Sequence, residues 1–152
     1  AIFRALPLIH PDEPVVVGLP DTIWFPEDAL CALPGGRLSF LLFPVERPEL
    51  FDAVRTDDNG EVLEIRVKLP DAGCRWVWGA FRMPGAVLHA LHRLWLERNR
   101  RDEYFGTLAN AWLDAGGSAV GVRAGDAYVD VGTLHGYREA IGLLARSTRH
   151  DA

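Results

Sequence analysis

Short apolar runs alternate along this chain with longer stretches in which apolar residues return every three or four positions. PVVVGL, residues 14–19, is a continuous β-branched run between Pro14 and Pro20, the pattern of a strand covered on both faces as in a parallel sheet. RLSFLLF, 37–43, reads as a second buried strand. LFDAVRT and EVLEIRVK flank DDNG, 57–60, where Asn59-Gly60 between two extended runs signals a hairpin. Val62, Leu63, Ile65 and Val67 alternate only in part, so one face of that second arm should be more covered than the other. RWVWGAFR, 75–82, predicts an aromatic-rich strand, and SAVGVRAG and YVDVG predict two short ones.

Helical spacing fills the intervals. IFRALPLI, 2–9, is a short helical segment interrupted by Pro7. PEDALCAL, 26–33, opens with proline and acids, which favour a helix N-terminus. PGAVLHALHRLWLERNR, 84–100, repeats Val87, Leu91, Leu94 and Trp95 on one face. DEYFGTLANAWLDAGG, 102–117, reads as a helix closed by glycines, and TLHGYREAIGLLAR as a last helix capped by Thr133. Strands alternating with helices, with one hairpin between them and no linker or repeat, predict a single α/β domain with a mixed sheet over residues 1–146. A loose tail is expected at 147–152.

Composition narrows the function classes. The 152 residues suffice for one core, and the net charge of −5 argues against a nucleic-acid-binding face. No apolar run reaches the roughly 18 residues of a membrane helix. The start, AIFRALPLIHPDE, has neither signal- nor transit-peptide character, and Cys31 and Cys74 form no disulfide framework or metal spacing. These features suit a cytoplasmic protein. Met83 is the sole methionine, so Ala1 is not an unprocessed initiator end, and the chain could be processed, trimmed or a fragment.

Two aspartates carry the candidate chemistry. Asp21 follows PVVVGL and Asp130 sits in YVDVG, each between a strand and a turn. Parallel strands would bring both to the sheet edge where ligands of α/β proteins gather. Either could instead cap a turn. Together, two hard carboxylates with open positions suit Mg²⁺ shared with phosphate groups. Lys68 is the only lysine among 16 basic residues. A compact ammonium aimed at one oxygen is a different device from an arginine fork, although one lysine can also fall anywhere by chance. His89 and His92, three apart, have metal-pair spacing but belong to the solvated face of an amphipathic helix, and His135 has no acid or nucleophile beside it. Gly35-Gly36 and Gly116-Gly117 are turn glycines outside any strand–loop–helix phosphate cradle, and Trp76, Trp78 and Trp112 read as core.

Five segments, in order across roughly residues 1 to 145, resemble the sugar-1-phosphate nucleotidyltransferases of the glucose-1-phosphate thymidylyltransferase type. VVVGLPDTIWFP resembles the family's strand ending in a metal-binding aspartate. FDAVRTDDNGEVLEIRVKLP resembles its hairpin followed by "I-x-E-K-P", and RWVWGAFRMP the next strand with its glycine. DEYFGTLANAWLDAGG resembles its "E-Y-x-x-T" helix, and YVDVGTLHGYREA its "D-x-G-T-x-x-x-Y-x-x-A" ending.

The resemblance implies a three-layer, Rossmann-like nucleotidyltransferase fold with a mixed sheet. It also implies transfer of a nucleotidyl group from a nucleoside triphosphate to a sugar 1-phosphate, releasing pyrophosphate. Asp21 and Asp130 would hold the catalytic Mg²⁺, and Lys68 would contact the sugar phosphate. Thr22 would touch substrate, and Val77 and Gly79 would lie where the strand backbone meets the sugar. Two positions depart from the pattern: Val67 stands where the family has a sugar-binding glutamate, and Asp52 where it has a glycine. The family's "G-x-G-x-R-x-x-P-x-T" loop has no match here, so the resemblance is to the C-terminal part only, without the N-terminal nucleotide-binding part. That predicts an inactive isolated chain and an exposed edge on PVVVGL, open to association with another chain or a second copy. The alternative is a non-catalytic module that binds a sugar phosphate or nucleotide sugar; the plainest reading is an α/β domain whose aspartates only cap and turn.

Overall fold

The structure is a computed structural model that describes residues 2–147. At its centre lies β6 (Trp76–Pro84), the strand predicted from RWVWGAFR. On one side it pairs antiparallel with β3 (Leu38–Pro44), and β3 pairs in parallel with β7 (Ala119–Val122). On its other side β6 meets β4 (Asp52–Thr56) at one end and β1 (Pro14–Gly18) at the other. The hairpin partner β5 (Val62–Val67) extends the sheet beyond β4. The turn forms as its sequence demands: the Asp57 carboxylate accepts the N–H groups of Asn59 (2.9 Å) and Glu61 (2.8 Å). Gly60 takes φ +84°, a left-handed value that glycine adopts without a Cβ penalty.

Side-chain alternation gives the sheet two apolar faces. Phe40, Leu42, Val54, Ile65 and Phe81 face helices α1 (Gly85–Glu97) and α2 (Phe105–Asp114), meeting Leu88, Leu91 and Leu108. Phe81 and Phe105 stack with centroids 4.2 Å apart. The opposite face, with Leu41, Phe43, Ala53, Val77 and Ala80, is covered by Leu33 and by a separate antiparallel ribbon of β2 (Thr22–Phe25) and β8 (Ala127–Asp130). After β8 comes α3 (Leu134–Ser147), whose first turn is tied as predicted by the Gly136 N–H donating to Thr133 Oγ1 at 3.0 Å.

Several expectations change. PVVVGL forms β1, but it is neither parallel nor covered on both faces: only Val15 is buried, while Val16 is 52% exposed. The run is antiparallel to β6 and has no second partner strand among the described residues, so its outer faces stay open. PEDALCAL yields a four-residue 3-10 turn, Ala29–Ala32, too short for a helical repeat. The DEYFGTLANAWLDAGG helix starts at Phe105, because Asp102 is held back by Arg98 through bonds of 2.8 and 2.9 Å. His89 and His92 are not on a solvated face. The N-terminal 3-10 segment Ile2–Leu8 and its continuation pack over them, with His89 Nε2 3.0 Å from the Ile9 carbonyl and His92 against Phe3 at 4.9 Å. Apart from Ser147, which ends α3, the expected tail lies outside the described residues.

Candidate functional site

The two aspartates meet, though not by the route the sequence suggested. β1 runs out at Gly18, the chain turns through residues 19–21, and β2 returns to pair with β8 in the register Thr22 to Asp130. Antiparallel pairing in this ribbon, rather than two parallel strands, sets Asp21 beside Asp130, and the Val131 N–H donates to the Asp21 carbonyl at 2.8 Å. Gly132 completes the corner. A Cβ there would lie 3.0 Å from Asp130 Oδ1 and 3.3 Å from Asp21 Oδ2, so both oxygens face one small space that only glycine leaves free. The Gly132 N–H donates to Asp130 Oδ1 at 2.8 Å. Neither carboxylate has an arginine or lysine within ion-pair distance among the described residues. Among the described residues no third His, Cys, Asp or Glu joins them in a metal-holding group. Two carboxylates with the remaining positions open fit a hard divalent cation that shares its shell with phosphate oxygens and water.

Thr22 stands opposite Asp130 and donates its hydroxyl proton to the Leu19 carbonyl at 2.9 Å, bracing the turn that presents Asp21. Alternation places Thr22, Trp24, Tyr128 and Asp130 on the sheet-facing side of the ribbon. Tyr128 was not among the expected site residues, yet it joins the parts. Its ring packs on Phe43 at 5.1 Å and edge-on to Phe51 at 5.8 Å. Burial pushes its phenol up to about 12, with the charges of Asp130, Asp21 and Asp52 adding to the shift and Thr22 opposing it. Gly79 lies directly beneath: a Cβ would stand 2.5 Å from Tyr128 Cε2 and 2.8 Å from Phe43 Cε2. Val77, fully buried, shares this layer. Val77 and Gly79, expected where the strand backbone meets the sugar, thus lie in the layer beneath the Tyr128 ring.

Lys68 follows β5 with φ +48°, and its N–H donates to the Phe51 carbonyl at 3.1 Å. Its ammonium rests over the Tyr104 ring, 5.0 Å from the centroid. Asp52, across from Val67 in the β4–β5 register, places its carboxylate against α2, where a Cβ on Gly106 would lie 2.9 Å from Oδ2. Burial raises its pKa, while the Trp78 indole N–H and the Lys68 charge oppose the rise. The buried Trp78 Nε1 makes no hydrogen bond of good geometry, so its help is electrostatic proximity. The sequence-predicted residues therefore form two groups, Asp21–Thr22–Asp130 and Asp52–Lys68, with Tyr128 feeling the carboxylates of both. A separate concavity of about 490 Å³ lies at the hairpin tip, between Thr56–Gly60 and residues 120–123, and holds none of them. No helix among the described residues is long and apolar enough to cross a membrane.

The layered mixed sheet, with helices on one face and the ribbon on the other, is a nucleotidyltransferase-like α/β fold. One solved structure that shares it is a protein from Bacillus anthracis provisionally assigned as a glucose-1-phosphate thymidylyltransferase, in complex with a sucrose. The match has a TM-score of 0.74 at 20% identity and covers 93% of this chain. The chain spans 58% of that protein's length. At such identity the likeness carries architecture alone. No family model matches the chain, and no curated protein matches it by sequence.

Proposed function

We propose that the chain carries the sugar-phosphate and metal-binding portion of a nucleotidyltransferase that joins a sugar 1-phosphate to the nucleoside monophosphate unit of a nucleoside triphosphate. The observation that carries this reading is the convergence of the Asp21 and Asp130 oxygens on the space beside Gly132. In the reaction a sugar-phosphate oxygen bonds to the α-phosphorus, the bond from that phosphorus to the β-phosphate oxygen breaks, and pyrophosphate leaves. Both reactants are anions, so the protein's task is to align them and offset their charge. Asp21 and Asp130 would hold a Mg²⁺ ion, which when bound supplies positive charge and polarises phosphate oxygens. Lys68 adds a mobile point charge for one oxygen of the sugar phosphate, and Thr22 keeps the Asp21 turn in place. Tyr128, neutral at any physiological pH, forms an uncharged wall between the carboxylates.

A second reading, a module that binds a sugar phosphate or nucleotide sugar without turnover, draws on the same departures: Val67 and Asp52 at positions where the resemblance expects Glu and Gly. β1, with Val16 on its open side, would take up a strand from another chain or a second copy. A cytoplasmic setting would suit either reading.

Thermal unfolding with glucose 1-phosphate, with and without Mg²⁺, tests the binding reading. Ligand at about ten times its Kd should stabilise by about 1.4 kcal/mol, a rise of a few degrees in Tm, and only when Mg²⁺ is present. Asp21→Ala and Asp130→Ala should abolish the rise while leaving the ligand-free Tm near that of the parent. An unchanged Tm in the parent protein would sink the proposal. Release of pyrophosphate by the 152 residues alone would choose the enzyme over the module.

A further inference from the structure

We propose that Gly132 is a positioning residue of the cation site: it is glycine so that oxygens of Asp21 and Asp130 can converge, and not because its backbone requires it. The inference rests on the reading that these two carboxylates hold a divalent cation. Glycines elsewhere in the chain are small for other reasons. Gly60 and Gly116 take φ of +84° and +87°, left-handed values at which an L side chain is strained. Gly36 has an ordinary φ and open space, with nothing within 4 Å of where a Cβ would stand. Gly132 differs from all three. Its φ lies outside the left-handed region, so alanine can take the same backbone conformation. Beyond its chain neighbours, a Cβ there would meet two atoms within 4 Å, Asp130 Oδ1 at 3.0 Å and Asp21 Oδ2 at 3.3 Å. Both are carboxylate oxygens, one from each acid.

The backbone that carries these oxygens is held from three directions. The Thr22–Asp130 register ties the two strands, and the Val131 N–H donates to the Asp21 carbonyl at 2.8 Å. On the far side of the turn, Gly136 brings α3 so close that a Cβ there would collide with the Asp130 carbonyl oxygen. The Asp130 backbone therefore sits between its partner strand and the helix. A methyl group on residue 132 would come too near Oδ1 for ordinary packing, and what yields is the carboxylate, because a side-chain torsion is softer than a paired backbone. As it turns, it gives up the 2.8 Å bond from the Gly132 N–H and leaves the space it shares with Asp21 Oδ2. Two carboxylates grip a hard cation together only while an oxygen of each lies roughly 2.0–2.6 Å from one point. Gly132 thus acts through Asp21 and Asp130 and is not itself a ligand.

The test is a titration of the 152-residue protein with Mn²⁺, which takes the same oxygen ligands as Mg²⁺ and broadens the NMR signals of nearby amides. In the parent, the Thr22, Val131 and Gly132 amides should broaden first and recover when excess Mg²⁺ is added. In Gly132→Ala, half-broadening of Thr22 and Val131 should need about ten- to a hundredfold more Mn²⁺, the loss typical when a residue that orients metal ligands is changed. Its metal-free Tm should stay near that of the parent, since alanine suits the backbone there. Gly36→Ala should change neither quantity. Gly116→Ala should lower the Tm and leave the Mn²⁺ titration as in the parent. A Gly132→Ala protein that titrates like the parent overturns the inference. So does one that fails to fold, or loses as much Tm as Gly116→Ala, because the backbone would then require the glycine. These outcomes leave the cation reading standing. A folded parent whose Thr22 and Val131 amides never broaden defeats that reading, and this inference with it.

Discussion

At the corner between α1 and α2, the Asp102 side chain is only 3% exposed, and Arg98 holds both its oxygens. At the far end of β4, Asp52 is also partly buried, and what faces it is an indole N–H without a bond and a lysine that lies over a ring. The shifts run in opposite directions: Arg98 holds the Asp102 carboxyl below its ordinary value, whereas burial lifts that of Asp52. The first acid is part of the framework, because its charge is matched by a rigid fork. The second has no such fork among the described residues, and its burial opposes ionisation. Arginine matches the acid in one region, whereas in the other the chain's only lysine lies over the Tyr104 ring.

The largest effect should come from breaking the matched pair. Arg98→Ala leaves Asp102 without its fork and should lower the urea midpoint at neutral pH more than either other change. Asp102 has a depressed folded pKa, so its contribution is present above the unfolded value near 3.8 and is lost as pH falls through the folded value. The difference between parent and Arg98→Ala should therefore narrow below about pH 4.

Asp52→Asn should act in the opposite sense, raising stability at neutral pH by on the order of 1 kcal/mol. A raised folded pKa means that the ionised group opposes folding, with a penalty absent below pH 3.8 and complete above the folded value. The gain should then vanish in acid. A destabilised Asp52→Asn at pH 7 would erase the contrast between the two regions. The smallest effect belongs to Arg37→Ala: its pair with Glu61 is 38% and 40% exposed, and a loss below about 0.5 kcal/mol is expected by the same unfolding measurement.

Local chemistry made much of this legible. Asn59-Gly60 announced the hairpin, Thr133 the cap of α3, and the Val87–Leu91–Leu94 spacing the buried side of α1, because each signal lies within a few residues of its effect. Asp21 and Asp130 could be named as a pair, but not the ribbon that joins them, since pairing residue 22 with residue 130 leaves no local trace. A β-branched run such as PVVVGL does not distinguish a central strand from an edge, which is why β1 came out more exposed than expected. His89 and His92 turned inward because an N-terminal segment distant in sequence covers them. Tyr128 was missed altogether. The available signal was period two, which sets it on the same ribbon face as Asp130, with Gly79 as the small residue that receives it.

The Thr22–Asp130 register also orders events in time. Closing a contact between residues so far apart carries a loop-entropy cost that local elements such as the β4–β5 hairpin avoid. During synthesis Asp21 cannot meet Asp130 until β8 has been made. The carboxylate pair therefore forms later than the hairpin, when the β2–β8 ribbon closes over its face of the sheet.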